Sequence, residues 1–343
     1  MKKIPEFPAL VFADIHAQKS NLKELTYFFR TTVPQLYEDH RFKSIIIIGD
    51  VFESVSKIDT EVYITIYTLL KDIHYNLDRV VDVFIVMGNH DIYMLNGASP
   101  LIPFKEIATV YDTYTYERDT GFEFIPYSHN MNREYATEAG ITFIHYALKS
   151  IVDSIKLNYD IDYFEPPCTS RTYIAGHLHF PARVYNQLSV GNPIPYMFDP
   201  VAKDNYVYIV EDQHSIFPLQ MGISRYEVVE IYEPDDLYVT IEHGFVSTHV
   251  KLKLFNDCLS ASRIMEFKKT HNLDSLVVSR EVKSTKLKGT LRVEQANQPL
   301  SVYRQFIQQD TTPLDKRALF LKVRDILNED KVPQTGCSEH MEL

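Results

Sequence analysis

The sequence predicts an α/β protein, an α+β sandwich in which mixed sheets are flanked by helices. Three short runs rich in β-branched residues have the length and hydrophobicity of buried strands: 9–13, 44–48 and 80–87. Amphipathic stretches at 20–30 and from about 59 to 76 lie between them and predict helices, with Ser20 as the expected N-cap of the first. Strands that alternate with helices predict a sheet with covered faces.

The chain beyond Tyr111 has a different pattern, which is dominated by strands. The segment YTYERDTGFEFIPY predicts a β-hairpin that turns at 119–121. Further strands are expected in ITFIHYAL, RTYIAGHLH, NYVYIVED and YEVVEIYE. We find no internal repeat and no low-complexity tract.

Composition sets broad limits on function. The 343 residues are 45% hydrophobic, enough for a sizeable core, and their formal net charge is -11. No global basic field therefore indicates binding of nucleic acid by charge alone. Three widely spaced cysteines without a CxxC pair argue against a disulfide framework or a thiolate zinc site: Cys168, Cys258 and Cys337. With no start typical of a signal peptide and no apolar run near the roughly 20 residues that span a bilayer, we expect a soluble cytoplasmic protein without membrane contact.

Side chains with the chemistry of metal ligands follow the predicted strands. The motifs are D-I-H at 14–16, G-D-V-F-E at 49–53, G-N-H-D at 88–91, a histidine at 145 and G-H-L-H at 176–179. The carboxyl ends of strands are where an open α/β sheet presents its binding loops. In an extended chain, residues i and i+2 project the same way, so Asp14 and His16 can enter one crevice. His177 and His179 have the same spacing.

This ligand set predicts a pair of divalent metal ions. Imidazole, carboxylate and amide ligands without thiolates suit manganese, iron, magnesium or zinc. Two cations roughly 3.5–4 Å apart need one shared anionic ligand, which a carboxylate supplies. Taken singly, each motif has an ordinary explanation, such as a surface D-x-H pair, a core histidine at His145 or a G-N-H-D turn. Five motifs in order at strand ends favour the metal site.

The same motifs in the same order are those of the calcineurin-like metallophosphoesterases, which the sequence resembles over about residues 8–200. The resemblance implies one metal held by Asp14, His16, Asp50 and His179, and another held by Asp50, Asn89, His145 and His177. It implies that His90 is the catalytic histidine, near the leaving group and not a metal ligand. Glu53 matches the acidic position that pairs with this histidine in related phosphatases and is expected to orient His90; the alternative is a solvated loop acid.

A second resemblance narrows the family. Segment 188–199, LSVGNPIPYMFD, is similar to SGSPIPLSFDE of the SbcD-type DNA nucleases, and the chain resembles their compact bacteriophage members. This implies a manganese-dependent double-strand exonuclease and single-strand endonuclease, which acts in DNA repair and recombination in a bacterial or phage-infected cell. It also implies an SbcC-like ABC-type ATPase as partner and a homodimer within a heterotetramer. Glu53 and Asn192 depart from the usual aspartate and serine of these nucleases.

We expect three domains: a nuclease domain at 1–222, a cap that contacts DNA at 223–295 and a helical partner-binding segment at 296–343. The window 251–292 has ten Lys or Arg and four Asp or Glu, which indicates either a solvated face or a DNA contact. Thr312, Pro313 and Asp315 are typical of a helix start. Two apolar stripes predict a helical hairpin that packs on its own core or on the ATPase: Val302, Tyr303, Phe306 and Ile307, then Leu319, Val323, Ile326 and Leu327.

Two other functions use the same fold. A small-molecule phosphodiesterase, for instance of cyclic nucleotides, needs neither the basic window nor the C-terminal hairpin. A non-catalytic scaffold typically loses metal ligands, whereas every ligand position is filled in this chain. No P-loop GxxxxGK[ST] occurs, so ATP binding is assigned to the partner.

Overall fold

The computed structural model describes most of the chain up to Arg280. It covers residues 3–54, 56–77, 81–92, 98–128, 135–136, 140–156, 161–168, 170–195, 205–239, 241, 244–255 and 259–280. The chain divides into two units, Met1–Val282 and Lys283–Leu343, and all described residues belong to the first. The predicted C-terminal hairpin in 296–343 lies outside the described residues.

Strands dominate the described residues. The strands are β1 (Ala9–Ala13), β2 (Ser44–Ile48), β3 (Asp82–Val86), β4 (Thr109–Tyr111), β5 (Thr115–Glu117), β6 (Phe122–Ile125), β7 (Ile141–Ile144), β8 (Ala147–Leu148), β9 (Tyr163–Phe164), β10 (Thr172–Ala175), β11 (Ala182–Val184), β12 (Gln187–Ser189), β13 (Asn205–Val210), β14 (Ile216–Met221), β15 (Ser224–Ile231), β16 (Ser247–Leu254) and β17 (Ser275–Arg280). The α-helices are α1 (Leu22–Tyr27), α2 (Val33–His40), α3 (Thr60–Asn76), α4 (Lys149–Ile155) and α5 (Ala261–Thr270).

Two mixed six-stranded sheets form the body of the protein. The first sheet has the order β14-β13-β1-β2-β3-β4, in which β1 to β4 are parallel and β13 and β14 add antiparallel strands at the β1 edge. The second sheet has the order β11-β12-β10-β7-β6-β5, with parallel β12, β10, β7 and β6 between antiparallel edges. The predicted class of mixed sheets flanked by helices is therefore confirmed.

The two sheets face each other and share a core. Successive residues of a strand point to opposite faces, so every second residue of β1 and β2 enters this core. It contains, among others, Val11, Ile46, Phe84, Phe124 and Phe143. Tyr111 of the first sheet stacks on Phe124 of the second, with ring centroids 3.7 Å apart. Each fully buried side chain of this size contributes roughly 1.5–3 kcal/mol by leaving water.

Helices cover the outer faces. The alternate residues of the first sheet pack on α1 to α3, as with Ile45 and Ile47 against Leu25 and Ile66. On the second sheet, the outer face packs against α4 through residues such as Tyr173 and Ile151. Both faces of the central strands are thus covered, which explains why β1 and β2 are apolar apart from Ser44.

Most of the predicted elements are confirmed, including the strands at 9–13 and 44–48. The second helix begins where expected, because the Asp59 side chain accepts a hydrogen bond from the Glu61 N–H at 2.9 Å and caps α3. The predicted hairpin is β5 and β6, and Gly121 takes the left-handed conformation of its turn (φ 70°).

The start and the end of the first helix were predicted wrongly. Ser20 is not its N-cap but lies inside a 3-10 turn, Lys19–Asn21, and α1 begins after Asn21. The buried Asn21 amide donates to the carbonyls of Ile15 and His16, which ties the start of the helix to the loop after β1. The helix then continues past residue 30 through a π-helical turn, Phe28–Thr32, into α2. Pro34 has no N–H for the Arg30 carbonyl, which accounts for the irregular turn.

A smaller parallel sheet, β15-β16-β17, follows the two large ones, and we refer to it with α5 as the cap. Its own core joins one face of the sheet to α5 through Leu252, Leu254 and Phe267. The cap contacts α1, where Glu24 accepts from the Ser247 hydroxyl at 2.5 Å and lies 3.0 Å from His249 Nε2. The predicted domain boundaries at 222 and 295 stay predictions.

Among the described helices, none is both long enough and apolar enough to cross a membrane.

A buried ion pair on the outer face of the second sheet generates a stability prediction. Arg171 and Glu123 are almost fully buried, and Arg171 Nη1 donates to Glu123 Oε2 at 3.0 Å. Glu123→Ala leaves the guanidinium buried without its carboxylate, so we expect a loss of roughly 3–5 kcal/mol in the free energy of unfolding by urea. Lys105→Ala, which breaks the exposed pair with Asp112, should cost at most about 1 kcal/mol. Equal losses in the two variants contradict the structural role of the buried pair.

Candidate metal centre

The two large sheets present the carboxyl ends of their parallel strands to one crevice. Asp14, Asp50 and Asn89 follow β1, β2 and β3 of the first sheet. His145 and His177 follow β7 and β10 of the second. The predicted ligands therefore come from two sheets, and the sandwich brings them together.

One group of four side chains forms the first cluster: Asp14, His16, Asp50 and His179. One donor atom from each lies within 4.8 Å of the others. His16 Nε2 is 3.0 Å from His179 Nε2 and 3.5 Å from Asp50 Oδ2. These are the four residues that the family resemblance assigns to one metal.

The second cluster is formed by Asp50, Asn89, His145 and His177. Donor atoms of Asp50, His145 and His177 lie within 4.8 Å of one another. Asn89 Oδ1 is 3.0 Å from His145 Nε2 and 3.0 Å from His177 Nδ1. Asp50 Oδ2 is 3.3 Å from His145 Nε2, so the same carboxylate belongs to both clusters.

The backbone at the site is held in an uncommon conformation. Asp14, His16, Asp50 and His177 have positive φ angles of 55°, 43°, 49° and 80°. Such left-handed conformations are uncommon outside glycine and concentrate at functional sites, where the surroundings must hold them. Backbone hydrogen bonds do so here, from the Asp14 N–H to the Gly49 carbonyl and from the His16 N–H to the Asp50 carbonyl.

Two glycines of the ligand motifs are required by close approach. A Cβ on Gly49 meets His145 Nδ1 at 2.0 Å, and Gly49 itself has a φ of 77°. A Cβ on Gly88 meets Asp50 Oδ1 at 2.2 Å. Both distances are far below van der Waals contact, so a larger residue displaces a candidate ligand.

Hydrogen bonds orient the ligands. His145 Nδ1 lies 2.9 Å from the Ile48 carbonyl, and since a carbonyl only accepts, Nδ1 carries the proton and Nε2 is left for a metal. The backbone N–H of His177 donates to both carboxylate oxygens of Asp14, at 3.1 and 3.0 Å. The backbone N–H of His90 donates to Asp50 Oδ1 at 2.8 Å.

Asp91 is a residue of the site that the predicted ligand set omitted. Its buried carboxylate accepts from the N–H groups of Val51 and Phe52, at 3.0 and 3.3 Å, and of Gly88, at 3.0 Å. It thereby joins the loops that carry the ligands after β2 and β3. Burial, with the negative charge of Asp50, raises the pKa of Asp91 to about 7. Asp91 is the fourth residue of the G-N-H-D motif, so the sequence contained the residue, but its role became visible only in the folded loops.

The contacts of Glu53 differ from the predicted pairing. The Glu53 carboxylate was expected on His90, but its Oε2 lies 2.8 Å from Nδ1 of His16. His90 is instead bound by the Glu53 backbone carbonyl, 2.6 Å from His90 Nδ1. The chain after β2 places the Glu53 carbonyl towards His90 and leaves the side chain to reach His16. His90 Nε2, opposite the bonded Nδ1, is the ring atom available to a substrate.

The charges of the site favour cation binding. Burial lowers the pKa of His145, but the charge of Asp50 and a hydrogen bond to it outweigh burial and raise that pKa to about 9. Burial raises the pKa of Asp50, but attraction to His145 outweighs it and holds this carboxyl below its usual range. Burial and the positive charge of His145 lower the pKa of His177 to about 4. Burial and the positive charge of His16 lower the pKa of His179 to about 3. His177 and His179 are therefore neutral at pH 7 and present lone pairs.

The donor set fits two divalent metal ions. All donors are nitrogen or oxygen, and the chemistry matches that of manganese, iron, magnesium or zinc. Asp14, His16, Asp50 and His145 are at most 1% exposed, so their polar atoms are removed from bulk water. Imidazole nitrogens and carboxylate oxygens that converge in this way need a cation or a proton between them.

Residues 7–181 match the family described as calcineurin-like phosphoesterase. The chain belongs to this family. As a calcineurin-like phosphoesterase it is a hydrolase that acts on phosphoester bonds and uses divalent metals. Among solved structures, it is similar to the Pseudomonas putida nuclease MPE, with 16% sequence identity and a TM-score of 0.32 over 62% of this chain and 87% of that chain. No curated protein sequence matches this phosphoesterase.

The loop that suggested an SbcD-type nuclease is described as far as residue 195. Asn192, which stands in place of the usual serine, is buried, and its side-chain oxygen accepts from Asn205 Nδ2 at 2.9 Å. Its backbone carbonyl accepts from the same group at 3.1 Å. Asn192 therefore anchors the phosphoesterase loop to β13, and its amide points away from solvent.

The raised pKa of His145 predicts proton release on metal binding. With a pKa of about 9 in the protein alone, His145 is protonated at pH 7 and must lose its proton before Nε2 can bind a cation. Manganese binding should therefore release about one proton or more per chain. Isothermal titration in buffers of different ionisation enthalpy measures this number. The apparent affinity should rise with pH up to about 9 and then level off; a binding heat that is independent of the buffer contradicts the prediction.

Proposed function

We propose that this phosphoesterase is a DNA nuclease subunit of the SbcD type, a double-strand exonuclease with single-strand endonuclease activity. In this proposal it works with an SbcC-like ABC-type ATPase, as a homodimer within a heterotetramer, in DNA end processing, recombination and repair. Manganese is the proposed metal.

The observation that carries the phosphodiesterase part is the sharing of Asp50 by two ligand clusters. Asp50 Oδ2 lies 3.5 Å from His16 Nε2 and 3.3 Å from His145 Nε2. Two cations held close together repel each other strongly unless an anion lies between them, and the Asp50 carboxylate, a member of both clusters, would supply that anion. His90 lies beside the first cluster, with the centroid of its ring 4.9 Å from that of the His16 ring.

The residues divide the work of hydrolysis. A bound pair of divalent ions supplies the Lewis acidity that activates water and polarises the phosphate. Asp14, His16 and His179 would hold one ion, Asn89, His145 and His177 would hold the other, and Asp50 would serve both. The Glu53 carbonyl fixes Nδ1 of His90, so Nε2 faces the substrate. Protonated there, His90 donates a proton to the leaving sugar oxygen.

Two features support DNA as the substrate. Segment 188–199 resembles the corresponding loop of SbcD-type nucleases. The cap carries basic side chains in an acidic protein, with Lys269 and Arg280 exposed and Lys251 and Lys253 half-exposed. Lysine and arginine on such a surface bind the phosphate backbone without reading its sequence. The partner-binding role of segment 296–343 is part of the proposal and lies outside the described residues.

Digestion of DNA tests the proposal directly. End-labelled duplex and circular single-stranded DNA are incubated with manganese and wild type or Asp50→Asn, with and without an SbcC-like ATPase and ATP. The wild type should degrade both DNAs, and the ATPase with ATP should stimulate digestion of the duplex. Asp50→Asn should be inactive and lose roughly one metal ion per chain, because the shared charge is gone. Hydrolysis of cyclic nucleotides without any cleavage of DNA assigns the enzyme to small-molecule phosphodiesterases instead.

His90→Ala should behave differently from Asp50→Asn. Because His90 is assigned to the leaving group, its loss should lower turnover roughly 10²–10⁴-fold and leave the metal content normal. Turnover is followed on duplex DNA, and the bound metal by elemental analysis. A His90→Ala protein that loses metal places His90 among the ligands.

A further inference from the structure

Glu53 is in contact with a candidate metal ligand as well as with the candidate catalytic histidine. We propose that the Glu53 carboxylate positions His16 for the metal of the first cluster, so that one residue orients both His16 and His90. This inference rests on the two-metal site of the proposed function. Glu53 acts here as a positioning residue, since its carboxylate acts through His16.

The geometry separates the two ring nitrogens of His16. Nδ1 lies 2.8 Å from Glu53 Oε2, and Nε2 lies 3.5 Å from Asp50 Oδ2 and 3.0 Å from His179 Nε2. His16 is fully buried, whereas the Glu53 side chain is 38% exposed. The contacting oxygen of Glu53 is itself buried against the ring, and the opposite ring nitrogen of His16 points into the first cluster.

The backbone of Glu53 is fixed independently of its side chain. Phe52 pairs with Ala17 in an isolated parallel bridge, and the Glu53 N–H donates to the Ala17 carbonyl at 3.4 Å. The Glu53 carbonyl is 2.6 Å from His90 Nδ1. A change of the side chain therefore removes the carboxylate from His16 and leaves the support of His90 in place.

A carboxylate at this position has a defined effect on His16. Its negative charge, 2.8 Å from Nδ1, attracts a proton to that nitrogen although the two atoms are not aligned as a hydrogen bond, and so favours the Nδ1–H tautomer, which leaves the Nε2 lone pair for a cation. It also raises the basicity of the ring as a ligand, and partners of this kind are typically worth 10–100-fold in metal affinity. His145 in the second cluster is oriented by the neutral carbonyl of Ile48 instead. Loss of the Glu53 carboxylate should therefore weaken one metal site selectively.

Manganese titration followed by the electron paramagnetic resonance of the free ion tests this. Wild type, Glu53→Gln and Glu53→Ala are compared with Glu61→Gln, which removes the same charge from an exposed position at the start of α3. Glu53→Ala should weaken one of two manganese ions roughly 10–100-fold and leave the other unchanged. Glu53→Gln should lose less, since its amide oxygen keeps a partial negative charge close to Nδ1. Glu61→Gln should bind as the wild type does.

A second measurement reports on His16 itself. Nitrogen-15 NMR of the imidazoles without metal, assigned with His16→Ala, should show the Nδ1–H tautomer in the wild type and a mixture in Glu53→Ala. Unchanged tautomer and unchanged affinities in Glu53→Ala overturn the inference, as does equal weakening of both ions. A wild type that does not bind two manganese ions refutes the proposed two-metal site itself, so the two failures are distinguishable.

Discussion

The position of the Asp50 carboxylate is the constraint on which the rest of the site depends. One of its oxygens lies between His16 of the first sheet and His145 of the second, and the other accepts from the His90 N–H. Asp50 can occupy this position only because its backbone takes a positive φ of 49° immediately after β2. Gly88 leaves the space that Asp50 needs, and Gly49 leaves space for the ring of His145. The sharing of one anion between two clusters is what makes a pair of close cations possible.

The sandwich of two sheets is the second requirement. The ligands of each cluster come from both sheets, so neither sheet holds a complete site. The apolar layer between the sheets, in which Tyr111 stacks on Phe124, fixes the spacing of the two sheets. It therefore also fixes how far apart the ligand loops of the two sheets lie. Close-packed interiors deform little, so this layer holds the ligand loops in fixed positions relative to each other. The buried Asp91 carboxylate then ties the loops after β2 and β3 to each other. Its three backbone donors offset the cost of burying a polar group.

The groups next to the ligands divide into neutral and charged ones. The Ile48 carbonyl orients His145, whereas the Glu53 carboxylate lies against His16. The two ligand clusters thus differ in the charge of the group that lies against one of their histidines. Groups in such positions affect the affinity of a histidine ligand for its metal. The Glu53 carbonyl also holds His90, so the candidate leaving-group histidine and a metal ligand are oriented by the same loop.

Local patterns in the sequence predict the strands that carry the ligand motifs, the second helix and the order of those motifs. The apolar run of β2 and the Asp59 cap of α3 are readable from a few neighbouring residues. The motif spacing, with the resemblance it carried, identified the family. The contacts made by individual side chains of the site and of its loops could be seen only in the tertiary structure. Glu53 lies on His16 and not on His90, Asn21 replaces Ser20 at the start of the first helix, and Asn192 turns inward onto Asn205. Each of these contacts joins segments that separate loops bring together, or depends on the direction in which a loop leaves its strand. No local pattern contains that direction, since the packing of the two sheets and the helices fixes it.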